Sequence, residues 1–331
     1  MKPIATDYRA VREGGAGLID LSSRGRIRVS GSEAVLFLNG LITNDMKTLA
    51  EDRWMPAAFP TVQGRLIGAV RVVRTGDAFL IDTDAESRQA ILKTVSRFTL
   101  AGDFKVTDLT DNTSLLTLQG KRAVEIAEKV FEMPLAELPR DGVIEVEWKD
   151  SHLALIRATH TGEDGFDLLI DSARAAEVRA ALINAGAEPV SEDTFDALRV
   201  EAGIARYGRD MDESNVVVET NLDDAVSYSK GCYIGQEIIV RIKHRGHVAK
   251  KLTGLRFDTD EKIESGAVIK SDDKEIGRVT SAVFSPKLNS TIALGYVRHE
   301  YLDSGTTVST DKNIAATVTE LPFVRGSWYQ D

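Results

Sequence analysis

One supersecondary pattern occurs twice in this chain, and it limits the folds that the chain can adopt. Arg71–Leu92 runs as a strand, a Thr-Gly-Asp turn, a second strand and a helix, and His152–Leu182 repeats this order. The Thr-Gly pairs of the two turns lie 86 residues apart. Chance recurrence of a common pattern is the alternative. The repetition predicts two copies of one α/β unit, each an antiparallel sheet with helices on one face.

The character of the sequence changes after about Val248. Helical periodicity ends there, and short apolar segments alternate with turns rich in Gly and Asp. The predicted strands are Lys251–Phe257, Ala267–Ile269, Gly277–Phe284, Ile292–Val297, Thr306–Ser309 and Ala315–Glu320. Strands this short and closely spaced predict a small barrel or sandwich. We therefore expect an α+β protein of two domains, with residues 1–245 forming the body and residues 246–331 the barrel.

Composition excludes several classes of protein. The 51 acidic and 41 basic side chains give a net charge of −10, which argues against nucleic-acid binding by the whole surface but leaves a local basic patch open. No apolar stretch is long enough to cross a bilayer, and residues 1–17 lack the apolar core of a secretory signal. A single cysteine forbids an intramolecular disulfide. These features predict a cytoplasmic protein without a membrane partner, and a monomer because no long apolar stripe demands a second chain.

The most unusual segment surrounds that cysteine and reads Lys230-Gly231-Cys232-Tyr233-Ile234-Gly235-Gln236-Glu237. A basic stretch follows it, consisting of Arg241, Lys243, His244, Arg245, His247, Lys250 and Lys251. Cations near a thiol favour the reactive thiolate, although such a stretch also serves as a solvated face. Two interpretations of Cys232 follow: a small hydrophobic core residue, or a reactive thiol. Because one thiolate cannot complete a zinc or iron–sulfur site, any cluster ligation must be transient or shared with a partner.

Two further segments carry candidate binding groups. Thr161-Gly162-Glu163-Asp164-Gly165 places two carboxylates between glycines in a hairpin turn. A carboxylate held there accepts paired hydrogen bonds from an amidine-like edge such as that of a pterin, and an ordinary acidic surface turn is the alternative. In Leu198–Gly203, at the end of a predicted helix, Arg199 and Glu201 are two residues apart and face different sides. Arg199 then points either towards a cleft or to solvent.

No other motif of known chemistry is present in the sequence. The chain has no Walker A loop, no dinucleotide-binding fingerprint and no nucleophile elbow. His244 and His247 are three residues apart, which suits a metal pair on a helix, but no carboxylate or cysteine at ligand spacing supports them. We therefore predict a surface position for both histidines and no metal site.

Taken together, these segments resemble those of a known family. They are Gly17–Ser22 with Gly25–Ile27, Leu41–Asp45, Thr161–Phe166, Leu198–Gly203 with Tyr207-Gly208, Gly295–Val297 and Pro322–Val324. In these segments, which span nearly the whole chain, the sequence resembles the folate-binding superfamily of the glycine-cleavage T-protein (aminomethyltransferase) and its YgfZ relatives. The resemblance implies two related, ferredoxin-like α/β units around a central channel, followed by a small C-terminal β-barrel.

The resemblance also implies a ligand and its anchors. In aminomethyltransferases, the glutamate of the turn and the arginine of the helix hold folate in the channel, which carries over to Glu163 and Arg199 here, with Tyr207 following them. The implied cofactor is tetrahydrofolate or a one-carbon derivative of it. The tyrosine that usually precedes Thr-Gly-Glu in the family is His160 in this chain.

The cysteine motif favours one branch of the superfamily. Lys-Gly-Cys-Tyr-x-Gly-Gln-Glu resembles the signature of the YgfZ group, which supports assembly or repair of certain iron–sulfur enzymes, whereas aminomethyltransferases usually have another residue at Cys232. Gln63–Gly68 contains no acid where aminomethyltransferases have one. An ungapped match also places Arg88 or Gln89 at the catalytic aspartate of those enzymes, with Asp84 and Glu86 nearby in the chain.

Three hypotheses of function follow. The first is a tetrahydrofolate-binding accessory protein for iron–sulfur enzymes, with Cys232 as its thiol and with client enzymes or assembly factors as partners. The second is a folate-dependent aminomethyltransferase or other one-carbon transferase. The third is a binding module that docks an RNA or an acidic protein on residues 241–251.

Overall fold

The computed structural model describes residues 5–259 and 261–329, and it contains two open sheets, the helices that cover them and a closed barrel. The helices are α1 (Thr6–Arg12), α2 (Ala34–Leu41), α3 (Ala85–Ser96), α4 (Ala123–Phe131), α5 (Ala175–Asn184), α6 (Glu192–Glu201) and α7 (Gln236–Arg245). The strands of the body are β1 (Gly17–Asp20), β2 (Gly25–Ser30), β3 (Arg53–Pro60), β4 (Leu66–Thr75), β5 (Ala78–Thr83), β6 (Lys105–Asp108), β7 (Thr113–Gln119), β8 (Val143–Trp148), β9 (Ser151–Arg157), β10 (Gly165–Asp171) and β11 (Glu188–Pro189). The strands of the barrel are β12 (Lys250–Phe257), β13 (Val268–Ser271), β14 (Lys274–Ser285), β15 (Ser290–Arg298), β16 (Thr307–Thr310) and β17 (Ala315–Thr319).

The first sheet has the strand order β3-β4-β5-β2-β6, with all neighbours antiparallel. Because side chains alternate between the faces of a strand, β4 serves two surfaces. Val72 packs with Leu38 of α2 and Ile91 of α3 in a core on one face. Arg71 and Val73 face the other way, towards the second sheet.

The second sheet has the strand order β8-β9-β10-β7-β1-β11, and only the short β1–β11 pair is parallel. Its outer face is covered by helices in the same way as that of the first sheet. Leu118 of β7 and Phe166 of β10 pack with Ile126 of α4 and Val178 of α5. Each sheet therefore has its own helix-covered core.

The predicted duplication is confirmed, and it is longer than the sequence pattern indicated. The first unit runs β2-α2-β3-β4-β5-α3 and the second runs β7-α4-β8-β9-β10-α5. Within each sheet, the corresponding strands have the same order. The second unit takes a further strand, β1, from before the first unit in the chain. The first unit is thus inserted between two parts of the second.

The two sheets pack against each other through their helix-free faces. Val73 and Leu80 of the first sheet share a hydrophobic cluster with Val143 and Ile156 of the second. The body is therefore layered as helices, sheet, sheet and helices. Because the helices pack on the outer faces, a polar side chain on an inner face needs a hydrogen-bond partner from the opposite sheet, from solvent or from a ligand.

The barrel agrees with the predicted strands. Its closed order is β12-β15-β14-β13-β16-β17, and each of the six predicted segments overlaps one of these strands. Val200 of α6 packs with Leu252 and Leu294 of the barrel, which joins it to the body. Because α7 ends at Arg245 and β12 begins at Lys250, the division between residues 245 and 246 falls in the connection and stays a prediction. In the described part of the chain, no helix is long and apolar enough to cross a membrane.

Candidate functional site

Charged side chains interrupt the apolar packing between the two sheets. We call this set the inter-sheet cluster, and it consists of Arg24, Arg71, Asp82, His160 and Asp167. Arg71 of β4 lies opposite Asp82 of β5 in the strand register, so both side chains are on the same face. Asp167 of β10 meets them from the second sheet. Both units therefore contribute to one polar site.

The Arg71 guanidinium bridges the sheets. Its Nη2 lies 3.0 Å from Asp82 Oδ2 and also donates to Asp167 Oδ2. Arg24 Nε donates to Asp82 Oδ1 at 2.8 Å, and His160 Nε2 lies 2.9 Å from Asp167 Oδ2. The two aspartates are only 2% and 0% exposed, so these contacts act where water screens them little.

Both carboxyl groups of the cluster are held in the ionised form. Burial raises the pKa of Asp167, but its electrostatic interactions with His160 and Arg71 outweigh that effect, and the pKa lies well below its usual value. Burial likewise raises the pKa of Asp82, while Arg24 and Arg71 lower it by more. The site consequently presents carboxylate acceptors and guanidinium donors at neutral pH.

One polar atom of the cluster has no partner. Arg71 Nε is buried and makes no hydrogen bond within the described residues. The ring of Trp54, on β3, has its centroid 5.4 Å from Arg71 Cζ, and its indole N–H donates to the Arg157 carbonyl at 2.8 Å. An unpaired buried donor costs about 1–3 kcal/mol. A ligand acceptor placed at Arg71 would therefore be favoured.

Glu163, predicted as a ligand anchor, is bound to groups of the protein itself. Its Oε1 accepts from Arg12 Nη1 at 2.9 Å, and its Oε2 accepts from the backbone N–H and hydroxyl of Ser327 at 2.8 and 2.7 Å. The alternative of an exposed acidic turn is wrong, since Glu163 is 2% exposed. The turn is instead a buried junction between the second unit, α1 and the segment after the barrel. A direct role for Glu163 in folate binding stays a prediction.

Arg199 lies in the contact between body and barrel, and neither orientation expected for it is observed. It is 1% exposed and points neither to an open cleft nor to solvent. Its guanidinium pairs with Asp196 at 2.6 Å and Asp210 at 2.7 Å and donates to Ser281 Oγ of β14 at 2.8 Å. Because the barrel supplies one of these partners, the helix pattern alone cannot indicate this position. Its predicted contact with folate stays a prediction.

Glu201 connects the surroundings of Glu163 with those of Arg199. Glu201 Oε2 pairs with Arg12 at 3.0 Å, and Tyr8 donates its hydroxyl to Oε1 at 2.7 Å. The Ser285 hydroxyl of β14 donates to the same carboxylate. Arg199 and Glu201 thus reach the same barrel strand, and both lie on α6. The two predicted anchors belong to adjoining buried networks rather than to the inter-sheet cluster.

Tyr207 links the start of α3 with β4. Its backbone N–H donates to Asp84 Oδ2 at 3.0 Å, and its hydroxyl donates to the Leu66 carbonyl at 3.3 Å. Burial raises the pKa of Tyr207 to about 12, so the phenol is neutral and remains a donor. Asp84 also pairs with Arg24 of the inter-sheet cluster at 2.6 Å. The predicted binding residue therefore borders the cluster through Asp84.

Cys232 is exposed, so the interpretation as a core residue is wrong. The buried residues Lys230 and Tyr233 flank its loop. The backbone N–H of Ile234 donates to the Gly40 carbonyl at 3.0 Å, which attaches the loop to α2. In the described residues, no group of three or more His, Cys, Asp and Glu side chains is arranged to hold a metal ion. The protein thus presents Cys232 to solvent on an anchored loop.

Lys230 is the main anchor of this loop. Its Nζ donates to the carbonyls of Asn39, Ile42 and Asn44 at 2.7, 3.0 and 2.6 Å. These carbonyls lie at and just beyond the end of α2, where no intrahelical partners exist. Burial lowers the pKa of Lys230 to about 8. The motif lysine therefore caps a helix, which is a structural reason for its place two residues before Cys232.

The rest of the cysteine motif shapes the backbone and begins the last helix of the body. Gly235 has a φ of +79°, and a Cβ there would lie 2.4 Å from the Thr61 carbonyl oxygen, so a side chain is excluded. Gln236 opens α7, while Gly231 and the side chains of Glu237, Arg241 and Arg245 are exposed. Activation of Cys232 by these basic neighbours stays a prediction.

None of the five residues of the inter-sheet cluster is predicted as a site residue from the sequence, although three of them carry a signal that could have found them. These three are Arg71, Asp82 and Asp167. Each is a charged residue inside an otherwise apolar strand, in Val-Arg-Val, Ile-Asp-Thr and Phe-Asp-Leu. Because charged side chains are rarely buried unless they are paired, this interruption is a usable signal. The repeated pattern drew attention to the turns instead of the strands.

Comparison with known proteins gives one consistent relationship. The family model for the GCVT N-terminal domain matches residues 1–230, and that for the glycine cleavage T-protein C-terminal barrel domain matches residues 250–325. The chain is 31% identical to an aminomethyltransferase of Rubrobacter xylanophilus, over 97% of this chain and 86% of that protein. It is 26% identical to a putative chloroplastic transferase of Arabidopsis thaliana, over 94% and 72%. The crystal structure of the glycine cleavage system aminomethyltransferase T from Bartonella henselae superposes with a TM-score of 0.89, at 26% identity, over 96% of this chain and 89% of that one.

Proposed function

Because this chain belongs to the glycine cleavage T-protein family, we propose that it binds tetrahydrofolate or a one-carbon derivative and acts in folate-dependent one-carbon chemistry. Aminomethyltransferases of the family use tetrahydrofolate as a one-carbon carrier. The observation that carries the proposal for this chain is the inter-sheet cluster with its unpaired Arg71 Nε. When bound, the folate would supply its ring nitrogen N5 and the adjacent linker nitrogen N10 as carriers of the one-carbon unit.

The residues of the cluster fit a pterin. A pterin ring offers N–H donors along its amidine edge and a carbonyl acceptor beside it. Asp82 and Asp167 are ionised acceptors, already engaged by Arg24, Arg71 and His160, that could also accept from such donors, and Arg71 Nε is a donor for the carbonyl without a partner among the described residues. Trp54 adds an aromatic surface next to them. We therefore assign ring binding to the cluster, with Tyr207 bordering it through Asp84 and with Glu163 and Arg199 as supporting residues in the two buried networks that Glu201 connects.

The relatives favour aminomethyl transfer as the reaction. Transfer at a folate nitrogen requires a group that moves a proton. Asp82 and Asp167 are ionised at neutral pH and accept protons poorly, since their carboxylates are stabilised by Arg24 and Arg71. His160 contacts Asp167 at 2.9 Å, and its imidazole ring has two nitrogens that can donate or accept a proton. We assign proton transfer to His160, in the position where the family usually has tyrosine.

A second candidate function is favoured by two observations on other residues. Gly68 faces α3, where a Cβ would lie 2.7 Å from the Ile91 side chain. The next residue is Ala69, which has no carboxyl group. The segment that carries an acid in aminomethyltransferases thus provides none here. Cys232, absent from the usual aminomethyltransferase pattern, is exposed. These features support the YgfZ-type role, in which a folate-binding accessory protein serves assembly or repair of iron–sulfur enzymes.

Ligand binding tests the shared premise. The probe is 5-formyltetrahydrofolate, a stable reduced folate, titrated calorimetrically into the full chain. We expect Arg71→Met to weaken binding at least tenfold, since a charged hydrogen bond contributes about 1.5–3 kcal/mol. Arg28→Met is the matched control, because Arg28 is an exposed cation on the same sheet. Absence of binding to the unaltered protein, or equal binding by both variants, contradicts the proposed site.

A reaction assay separates the two functions. An aminomethyl group on a lipoyl carrier protein is offered with tetrahydrofolate, and methylenetetrahydrofolate is measured. A transferase forms product, loses about 100-fold in rate with His160→Ala, and keeps its rate with Cys232→Ala. An accessory protein forms no product in this assay. In cells that depend on it, Cys232→Ala then lowers iron–sulfur enzyme activity while folate binding is retained.

A further inference from the structure

Exposed hydrophobic side chains gather around the cysteine loop. Seven large hydrophobic residues are exposed in the described part of the chain, and four of them belong to this region. These are Leu36, Val62, Tyr228 and Ile234, and the first two are 65% and 74% exposed. Single exposed hydrophobic residues are common, but a concentration of them in one region marks an interaction surface.

Contacts between backbone segments bring three of these residues, Leu36, Val62 and Ile234, onto neighbouring segments. Leu36 lies one helical turn before Gly40, whose carbonyl accepts the N–H of Ile234 at 3.0 Å. Gly235, next to Ile234, approaches the Thr61 carbonyl so closely that a Cβ would lie at 2.4 Å. Val62 follows Thr61 in the β3–β4 turn. One surface therefore joins α2, this turn and the loop that presents Cys232.

A cationic helix borders the same surface. Arg241, Lys243 and Arg245 of α7 are exposed, and none of them forms an ion pair with residues 5–259 or 261–329. Lys243 Nζ lies 5.1 Å from the centroid of the Tyr228 ring, which connects the helix with the apolar residues. In a protein with a net charge of −10, these are three exposed cations within five residues, with Lys243 on one side of α7 and Arg241 and Arg245, one turn apart, on another; they form a local excess of positive charge.

We propose that this surface, the Cys232 face, is a docking site for an acidic protein. It consists of Leu36, Val62, Tyr228 and Ile234 together with Arg241, Lys243 and Arg245. Its aliphatic side chains match an apolar protein patch, whereas single-stranded nucleic acid is bound mainly by aromatic stacking. Its unpaired cations match carboxylates around such a patch. Docking brings a reactive group of the partner close to Cys232. This docking does not require folate to bind at the inter-sheet cluster.

Thiol exchange at Cys232 provides the measurement. Two short peptides carry a central cysteine as a mixed disulfide with thionitrobenzoate, one flanked by glutamate and leucine and the other by lysine and leucine. The Cys232 thiolate attacks the peptide sulfur, thionitrobenzoate leaves as a coloured thiolate, and its release gives the rate. We expect the acidic peptide to react about tenfold faster at low salt, with the difference shrinking at high salt.

Charge reversal and apolar removal separate docking from a simple field effect. Arg241→Glu with Lys243→Glu and Arg245→Glu should abolish the preference for the acidic peptide. The matched control reverses three exposed lysines elsewhere, Lys121, Lys287 and Lys312, and should leave it intact. Val62→Ser with Ile234→Ser should slow the glutamate–leucine peptide several-fold but not a glutamate–glycine peptide. Folding of each variant is checked by circular dichroism and thermal unfolding.

Four results overturn the proposal. Equal rates for acidic and basic peptides, or a preference that survives the triple reversal, remove the charge argument. Binding of a labelled single-stranded RNA that depends on the three cations, without any peptide preference, assigns the face to nucleic acid. Self-association in sedimentation experiments that Ile234→Ser abolishes assigns it to a second copy of this chain.

Discussion

The two α/β units share a strand order, but they use the same places in that order differently. In the first unit, the turn Thr75–Asp77 is partly or fully exposed. In the second, Thr161–Gly165 is almost wholly buried and holds Glu163 against Arg12. Duplication therefore supplies the scaffold, and local burial decides which copy of a feature becomes part of an internal polar network.

At the ends of the matching strands, the buried charged residue belongs to the first unit and the exposed one to the second. Asp82 and Asp171 end the matching segments Ala-Phe-Leu-Ile-Asp and Asp-Leu-Leu-Ile-Asp. Asp82 is 2% exposed and belongs to the inter-sheet cluster, whereas Asp171 is exposed and caps the short helical turn that follows. The second unit contributes Asp167 instead, four residues earlier. The site between the sheets is therefore asymmetric although the units that form it are related.

Removal of the buried aspartate of the second unit should have the largest effect on the stability of the protein. Asp167→Ala leaves the buried Arg71 and the partly buried His160 without their shared carboxylate, and we expect a loss of about 3–5 kcal/mol in unfolding free energy. Asp171→Ala, on the same strand, removes only an exposed cap and should cost about 1 kcal/mol. Urea unfolding of both variants measures the difference. Similar losses would show that burial does not distinguish the two aspartates.

The stabilising effect of Asp167 should also depend on pH. The pKa of Asp167 is lower in the folded chain than the ordinary 3.8. Its ionised form therefore stabilises the fold above that pH, and this contribution is lost as the pH falls from 3.8 towards the folded value. The stability gap between the unaltered protein and Asp167→Ala should narrow in this window. A gap that stays constant from pH 6 to about pH 2.5 would contradict the assignment.

The glycines of the two turns allow a second matched comparison. Gly162 has a φ of +80°, and a Cβ there would lie 3.1 Å from the Ala202 side chain. Gly76 has a φ of +52° and nothing within 4 Å of that position. Gly162→Ala should cost about 2–4 kcal/mol through backbone strain and crowding, and Gly76→Ala about 1 kcal/mol through strain alone. Thermal unfolding of the two variants tests the order.

The smallest effect concerns a partner that only the second turn has. Ser327→Ala removes the hydroxyl donor to Glu163 but keeps the backbone N–H donor, so we expect a loss of about 1–2 kcal/mol. Thr75→Ala in the first turn should change the unfolding free energy by less than about 0.5 kcal/mol. Chemical unfolding resolves this difference, and a larger loss at Thr75 would reverse the comparison.

The sequence allowed prediction of the repeat and of the barrel because both depend on local patterns. Alternation in Gly277–Phe284 or Ile292–Val297 reflects one strand and its neighbours. The site residues are harder to predict from the sequence, because their partners come from distant parts of the chain. Arg199 has Ser281 of the barrel as a partner, and Arg71 meets Asp167 from the other unit. No spacing along the chain encodes these encounters.

The exposure of Cys232 also depends on contacts that the sequence does not show. Its glycine neighbours and basic surroundings indicated an unusual segment, yet they did not establish whether the thiol is buried. Lys230, which caps α2 from a distant part of the chain, and Gly235, which packs on the β3–β4 turn, decide that exposure. Sequence reasoning therefore identified the segment, and the tertiary contacts determine which of its side chains reaches solvent.

The position of Ser327 has a consequence for how the protein is made. A ribosome releases the chain from its N-terminus, so both sheets emerge before the barrel, and the barrel before Ser327. Until that residue arrives, Glu163 has Arg12 as a partner but lacks the two donors that Ser327 gives it. Translation that stalls within the barrel would leave this turn incompletely satisfied. The turn of the second unit therefore gains all its hydrogen-bond partners only after the barrel has been synthesised.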